Sequence, residues 1–139
     1  MKKQTSARPF FDTNVLIYAF KEEDRRASAA RILLGHGGLV GVQTLNEFAA
    51  VARRKLRMSW QEVREALAAI QILCPAPIPV SLEIHEAAVR ISERHGYQIF
   101  DSLMIAAALA GHCTILYSED LQHRQVIEGL TIQNPFLAE

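Results

Sequence analysis

Phe10-Phe11-Asp12-Thr13-Asn14-Val15-Leu16-Ile17-Tyr18 places one carboxylate inside an otherwise apolar run. The segment before Asp12 reads as a short buried strand, Pro9 to Asp12, and the segment after it as the start of a helix, Asn14 to Phe20. Burying an unpaired carboxylate costs several kcal/mol, on the order of a lost ion pair. The run holds no Lys or Arg, so the compensating charge comes from a distant segment or from a bound cation. Three further acids in similar surroundings favour the cation. They are Glu47 in Thr44-Leu45-Asn46-Glu47-Phe48, Asp101 in Ile99-Phe100-Asp101-Ser102-Leu103, and Asp120 in Leu116-Tyr117-Ser118-Glu119-Asp120-Leu121.

Outward from this run, strands and helices alternate. Asp24 to Leu34 has helical spacing and stops at Gly35-His36-Gly37-Gly38; Leu39 to Gln43 reads as a second strand. Thr44 to Leu56 is helical, and Ser59-Trp60-Gln61-Glu62 is a capping box opening a helix to about Leu73. Pro75, Pro77 and Pro79 restrict Ile78 to Val80 to an edge strand. Leu82 to Arg94 forms a helix ending at His95-Gly96, and Asp101 to Ala110 one ending at Gly111, read as a left-handed cap. Thr114 to Tyr117 is a strand, Leu121 to Glu128 a short helix, and Leu130 to Gln133 the last strand. The alternation predicts an α/β fold, a three-layer α/β/α domain around a central, mostly parallel sheet of about five strands.

The 139 residues, half of them apolar, make one domain with a core of its own, residues 1–139, of which residues 1–8 are a short basic arm. Asp12 interrupts the apolar stretch after the arm, so the arm is not read as a signal peptide. No apolar segment reaches the roughly 18 residues of a membrane helix. Cys74 and Cys113 belong to no CxxC pair and sit among apolar residues, which points to reduced core thiols and a cytoplasmic setting. A net charge of zero argues against a general nucleic-acid coat. Two local basic patches remain: Arg25, Arg26 and Arg31, and the denser Arg53, Arg54, Lys55 and Arg57. The second reads equally as a helix end complementing its dipole and as a holder of polyanion.

In an open parallel sheet, ligands bind beyond the carboxyl ends of the strands, where strand order reverses. Asp12 closes the first strand, Glu47 lies a turn past the second, Asp120 follows the fourth, and Asp101 opens the helix before it. All four acids are therefore expected at one end of the sheet. Two carboxylates about 4 Å apart repel by roughly 4 kcal/mol at an effective dielectric near 20. Hard oxygen ligands of this kind suit Mg²⁺ or Mn²⁺, completed by water and phosphate oxygens. Each acid also has a plain structural reading: Asp12 and Asp101 as helix N-caps, Glu47 in a capping box with Thr44, and Asp120 as a turn residue.

Phe11 to Leu16, Thr44 to Phe48, Tyr97 to Ala108 and Leu116 to Leu121 resemble, in order and spacing, the four signature blocks of PIN-domain nucleases. Size and layout are most similar to VapC-type toxins of type II toxin-antitoxin modules. The resemblance implies a Mg²⁺- or Mn²⁺-dependent endoribonuclease with Asp12, Glu47, Asp101 and Asp120 as acidic quartet and Thr13, Asn14 and Ser118 as hydrogen-bonding supports. It further implies an RNA substrate, a small antitoxin whose tail fills the groove, and a homodimer. Gln122-His123-Arg124-Gln125 departs from the Gln-His-Gly-Gln that commonly follows the fourth block. A non-toxin PIN nuclease of RNA processing and a noncatalytic PIN-like interaction module are the competing readings.

Other acidic-site folds fit less well. A haloacid-dehalogenase-like phosphohydrolase wants a second Asp where Asn14 stands, and a receiver domain wants a late Lys, whereas none follows Lys55. His85-Glu86 lacks the second His of HExxH, the other histidines are scattered, and Arg90 and Arg94 read as a solvated stripe.

Overall fold

The two residues of β1 (Phe10–Phe11) set the layering of the domain. Successive side chains of a strand point to opposite faces of a sheet. Phe10 enters one apolar core and Phe11 a second one, and both rings are fully buried. The computed structural model describes residues 8–137, so the basic arm lies outside the described residues apart from Arg8.

After β1 the chain forms α1 (Thr13–Ala19), α2 (Arg25–Gly35), α3 (Val42–Arg54) and α4 (Trp60–Leu73). It continues with α5 (Leu82–His95), α6 (Ile99–Ala110), β2 (Ile115–Tyr117), β3 (Val126–Ile127) and β4 (Leu130–Gln133). The strand order is β1-β2-β4-β3, parallel except for the β3–β4 pair. Phe11, Val40 and the apolar faces of α1 to α4 fill one core, whereas Phe10, Leu116, Ile132 and α5 and α6 fill the other. This is the expected three-layer α/β/α domain with a mostly parallel sheet. Among the described residues, no helix is long and apolar enough to cross a membrane.

The predicted second strand is reduced to bridges. Leu39 pairs with Phe10, and Gly41 with Ile78, both in parallel sense. The extended segment ends at Gly41 because its N–H donates to Thr44 Oγ1 at 3.1 Å, making Gly41 the N-cap of α3. Val42 and Gln43 thereby pass from strand to helix. The edge segment at Ile78 is likewise a single bridge, flanked by Pro77 and Pro79, which have no N–H to give. These segments extend the sheet beyond β1, so the next chain segment after β1 lies on one side of it and β2 on the other. Strand order reverses at β1.

Two other local expectations are corrected. Gly111 closes α6 at φ −84°, and the left-handed residue is His112, at φ 59°. No helix forms over 121–128. Arg124 and Glu128 have φ of 73° and 50°, outside the helical range, and the chain turns into the β3–β4 hairpin. Ile127 faces Leu130 across the two-residue loop Glu128-Gly129, both members at positive φ, which is the type I′ geometry matched to strand twist. The Ser59 capping box and the helix end at His95-Gly96 stand as the sequence predicts, and Gly96 closes α5 in the left-handed region.

Candidate active site

Parallel pairing of Phe11 with Tyr117 aligns the ends of β1 and β2, and the next residues in each strand direction are Asp12 and Ser118. The N–H of Asp12 still donates to Tyr117 O at 2.9 Å, which fixes the carboxylate at the sheet's end. Ser118 Oγ, itself buried, donates to Asp12 Oδ2 at 2.6 Å and accepts the N–H groups of Asp120 and Leu121, each at 3.2 Å. One hydroxyl therefore anchors Asp12 and shapes the turn that carries Asp120.

Asp12 is also the N-cap of α1, accepting the N–H of Thr13 at 2.6 Å, so its structural reading and its place in the site coincide. The residue is 7% exposed, and among the described residues its carboxylate forms no ion pair. Burial pushes its pKa up to about 7, against the hydrogen bonds from Ser118 and Thr13, and the charges of Asp120 and Asp101 push the same way. Asn14 Nδ2 lies between two of these acids, 3.3 Å from Asp12 Oδ2 and 3.0 Å from Asp120 Oδ2. Its Oδ1 accepts the N–H of Glu119 at 3.3 Å.

Glu47 does not join Thr44 in a capping box, because Thr44 Oγ1 is engaged by Gly41. Its carboxylate accepts Thr13 Oγ1 at 3.0 Å and Gln43 Nε2 at 3.4 Å instead, tying α3 to the start of α1. Asp101 is not an N-cap either: Gln98 holds that position, and Asp101 sits in the first turn of α6. Its carboxyl is raised by burial, with Gln98 pulling it down and Asp120 adding to the rise.

Asp12, Glu47, Asp101 and Asp120 line one cleft of about 540 Å³, together with Thr13 and Asn14. Sequence reading did not single out the other cleft residues Tyr18, Lys21 and Glu119 as site residues. Glu119 accepts Tyr18 Oη at 2.6 Å and Arg26 Nη1 at 2.8 Å, while Arg26 also donates to Asp24 Oδ1 at 3.0 Å. The guanidinium lies 4.2 Å from the Tyr18 ring centroid. Burial, then the bond to Glu119, pushes the Tyr18 hydroxyl up to about 12. The Arg26–Glu119 pair spans 93 positions, and no local pattern announces it.

Among the described residues, no three His, Cys, Asp or Glu side chains already enclose a point where a metal ion would sit. The donor chemistry nevertheless fits a hard divalent cation. Asp12, Asp101 and Asp120 repel one another, none of the four acids forms an ion pair among the described residues, and Mg²⁺ would need only one or two of them besides water and phosphate oxygens.

Structural comparison finds the same architecture in several solved proteins. A toxin-antitoxin complex from Klebsiella pneumoniae matches with a TM-score of 0.70 and 22% identity, over 94% of this chain and 98% of that one. VapC20 of Mycobacterium tuberculosis, a sarcin-ricin loop cleaving toxin, matches with a TM-score of 0.67 and 20% identity, over 81% and 89%. VapBC2 of Rickettsia felis, bound to a DNA fragment from its promoter, matches with a TM-score of 0.64 and 16% identity, over 91% and 97%. No curated protein sequence matches the chain. The PIN domain family model matches residues 10–128, from the first residue of β1 to the β3–β4 turn, and so spans every acid of the cleft. By that match the chain belongs to the PIN domain family.

Proposed function

We propose that the protein is a Mg²⁺- or Mn²⁺-dependent endoribonuclease and the toxin of a type II toxin-antitoxin module. The observation that carries this reading is the meeting of four carboxylates in one cleft, none of which forms an ion pair among the described residues. Such a site attracts a divalent ion together with the phosphate of a substrate. When bound, the ion supplies positive charge against the reacting phosphate and lowers the pKa of water.

The chain's own residues then divide the work. Asp12, Asp101 and Asp120 hold the cation, with Asp12 the ligand most deeply set. Ser118 and Asn14 keep Asp12 and Asp120 in their rotamers. Glu47, held by Thr13, meets the cation through water or helps orient the attacking water. No side chain becomes covalent: both cysteines are buried outside the cleft, and burial pushes their thiols up to about 11.

The solved relatives support the toxin assignment, since one is a sarcin-ricin loop cleaving toxin and another a toxin-antitoxin complex. On this reading the partner is a small antitoxin protein whose tail occupies the cleft, the toxin forms a homodimer, and the protein works in the cytoplasm. The competing reading, a noncatalytic PIN-like interaction module, is favoured by the lack of a ready-made three-ligand metal site among the described residues. A non-toxin PIN nuclease of RNA processing shares the chemistry and differs in its partner.

Purified protein incubated with structured RNA and Mn²⁺ separates these readings. Wild type is expected to cleave, with Asp12→Asn and Asp101→Asn inactive. Equal cleavage by all three proteins, or by none, removes the nuclease assignment to this cleft.

A further inference from the structure

On α3, Glu47, Ala50, Val51 and Arg54 all line the cleft. They follow the i, i+3, i+4, i+7 spacing of a single helix face. Seven residues along a helix rise roughly 10 Å, so this face runs from the acids at one end to a cation at the other. Lys55, the C-cap of α3, and Lys21, just beyond α1, line the same cleft.

The basic run 53–57 is thereby divided. Arg53 donates to Met58 O at 2.9 Å and lies 4.8 Å from the Trp60 ring centroid, and neither it nor Arg57 lines the cleft. Arg54 and Lys55 are exposed, and among the described residues neither makes an ion pair. A helix-dipole role needs cations only near the last turn, whichever way they face. It leaves unexplained why this pair borders the cleft that holds the four acids.

We infer that Arg54 and Lys55 are the residues that hold the RNA backbone beside the scissile bond, gripping flanking phosphates while the acids and their cation take the reacting one. The inference rests on the nuclease reading and adds to it a path for the strand: it lies along α3, between Glu47 and Lys55. Lys21 is a weaker contributor, being shared with Asp24 at 3.8 Å and with the Tyr18 ring. A single-stranded segment suits this arrangement, because an open strand can follow a short helical face.

The test is binding of a labelled single-stranded RNA in chelator, across a salt series, so that no cleavage intervenes. Each phosphate contact to a single strand contributes about 0.7 to the slope of log affinity against log salt, so Arg54→Gln/Lys55→Gln is expected to lower the slope by about 1.4. The charge-matched Arg90→Gln/Arg94→Gln on α5, away from the cleft, is expected to leave it unchanged. With Mn²⁺ present, the first pair is expected to raise KM severalfold with kcat little altered, the mark of lost uniform binding. An unchanged slope in the α3 variant, an equal fall in both variants, or no RNA binding by wild type overturns the inference. Cleavage with an unchanged slope sinks the phosphate ledge alone, whereas a lowered slope without any Mn²⁺-dependent cleavage sinks the nuclease reading alone.

Discussion

Ser118 donates its hydroxyl to the buried carboxylate of Asp12 over 2.6 Å, joining the end of β2 to the end of β1. Ser118→Ala removes this bond and leaves the N–H groups of Asp120 and Leu121 without their acceptor. Loss of buried partners costs about 1–3 kcal/mol, so thermal denaturation is expected to show a drop of several degrees. The bond also holds the Asp12 pKa down, so the acid limb of the activity profile is expected to move towards higher pH.

Asp12 gives the metal-free protein an unusual pH dependence. Its folded-state pKa is raised, from the ordinary 3.8 to about 7, so the native chain binds more protons than the unfolded one between those values. Stability therefore falls as pH rises through this window and levels off above it. A melting temperature lower at pH 8 than at pH 5 is expected in chelator, with the slope much reduced in Asp12→Asn. An identical slope in the variant would place the titration elsewhere.

Mn²⁺ added at pH 8 is expected to raise the melting temperature of wild type, since a ligand that binds only the native state stabilises it. Asp12→Asn is expected to show little of that rise. The reading is independent of any RNA and therefore tests the cation site by itself.

Thr13→Val keeps the shape of a residue that holds Glu47 at 3.0 Å and removes only the hydroxyl. Glu47 is half-buried and reaches solvent in the cleft, so stability is expected to change by about 1 kcal/mol or less. Turnover is expected to fall more than KM rises, because the variant frees a positioned carboxylate and leaves the phosphate contacts intact. A rise in KM alone would contradict the placing of Glu47 near the attacking water.

Arg124 occupies φ 73°, a conformation that costs a side-chain-bearing residue about 1–2 kcal/mol. Arg124→Gly is expected to raise the melting temperature by a few degrees, read by calorimetry. The departure from the Gln-His-Gly-Gln pattern is thus a backbone matter, at a position whose N–H donates to Ile132 O at 2.7 Å.

The sequence carried most of the fold because its signals were chemical as well as periodic. The Ser59–Glu62 box and Gly96 marked helix ends, and the two phenylalanines before Asp12 marked a strand buried on both faces. Reading failed where a tertiary partner decided the outcome. Thr44 could cap with Glu47 by spacing, yet Gly41 takes its hydroxyl and Glu47 turns to Thr13. The segment after Asp120 has helical composition and Ser118 accepts its first N–H groups as a cap would, yet Arg124 and Glu128 leave the helical region and Val126 and Ile127 pair with β4. The acids themselves were legible as charges in apolar surroundings. Glu119 was not, because its meaning lies in Tyr18 and Arg26, both distant in sequence.

The pairing of β1 with β2 brings residues 10–12 against residues 116–118, more than a hundred positions later. During synthesis, a chain that has emerged only as far as α6 carries Asp12, Glu47 and Asp101 but lacks Ser118, Asn14's second carboxylate and the strand that orients Asp12. The cleft comes into being only with the last part of the chain. A nascent or prematurely terminated product that stops at α6 therefore lacks the assembled cleft, whatever acids it already carries.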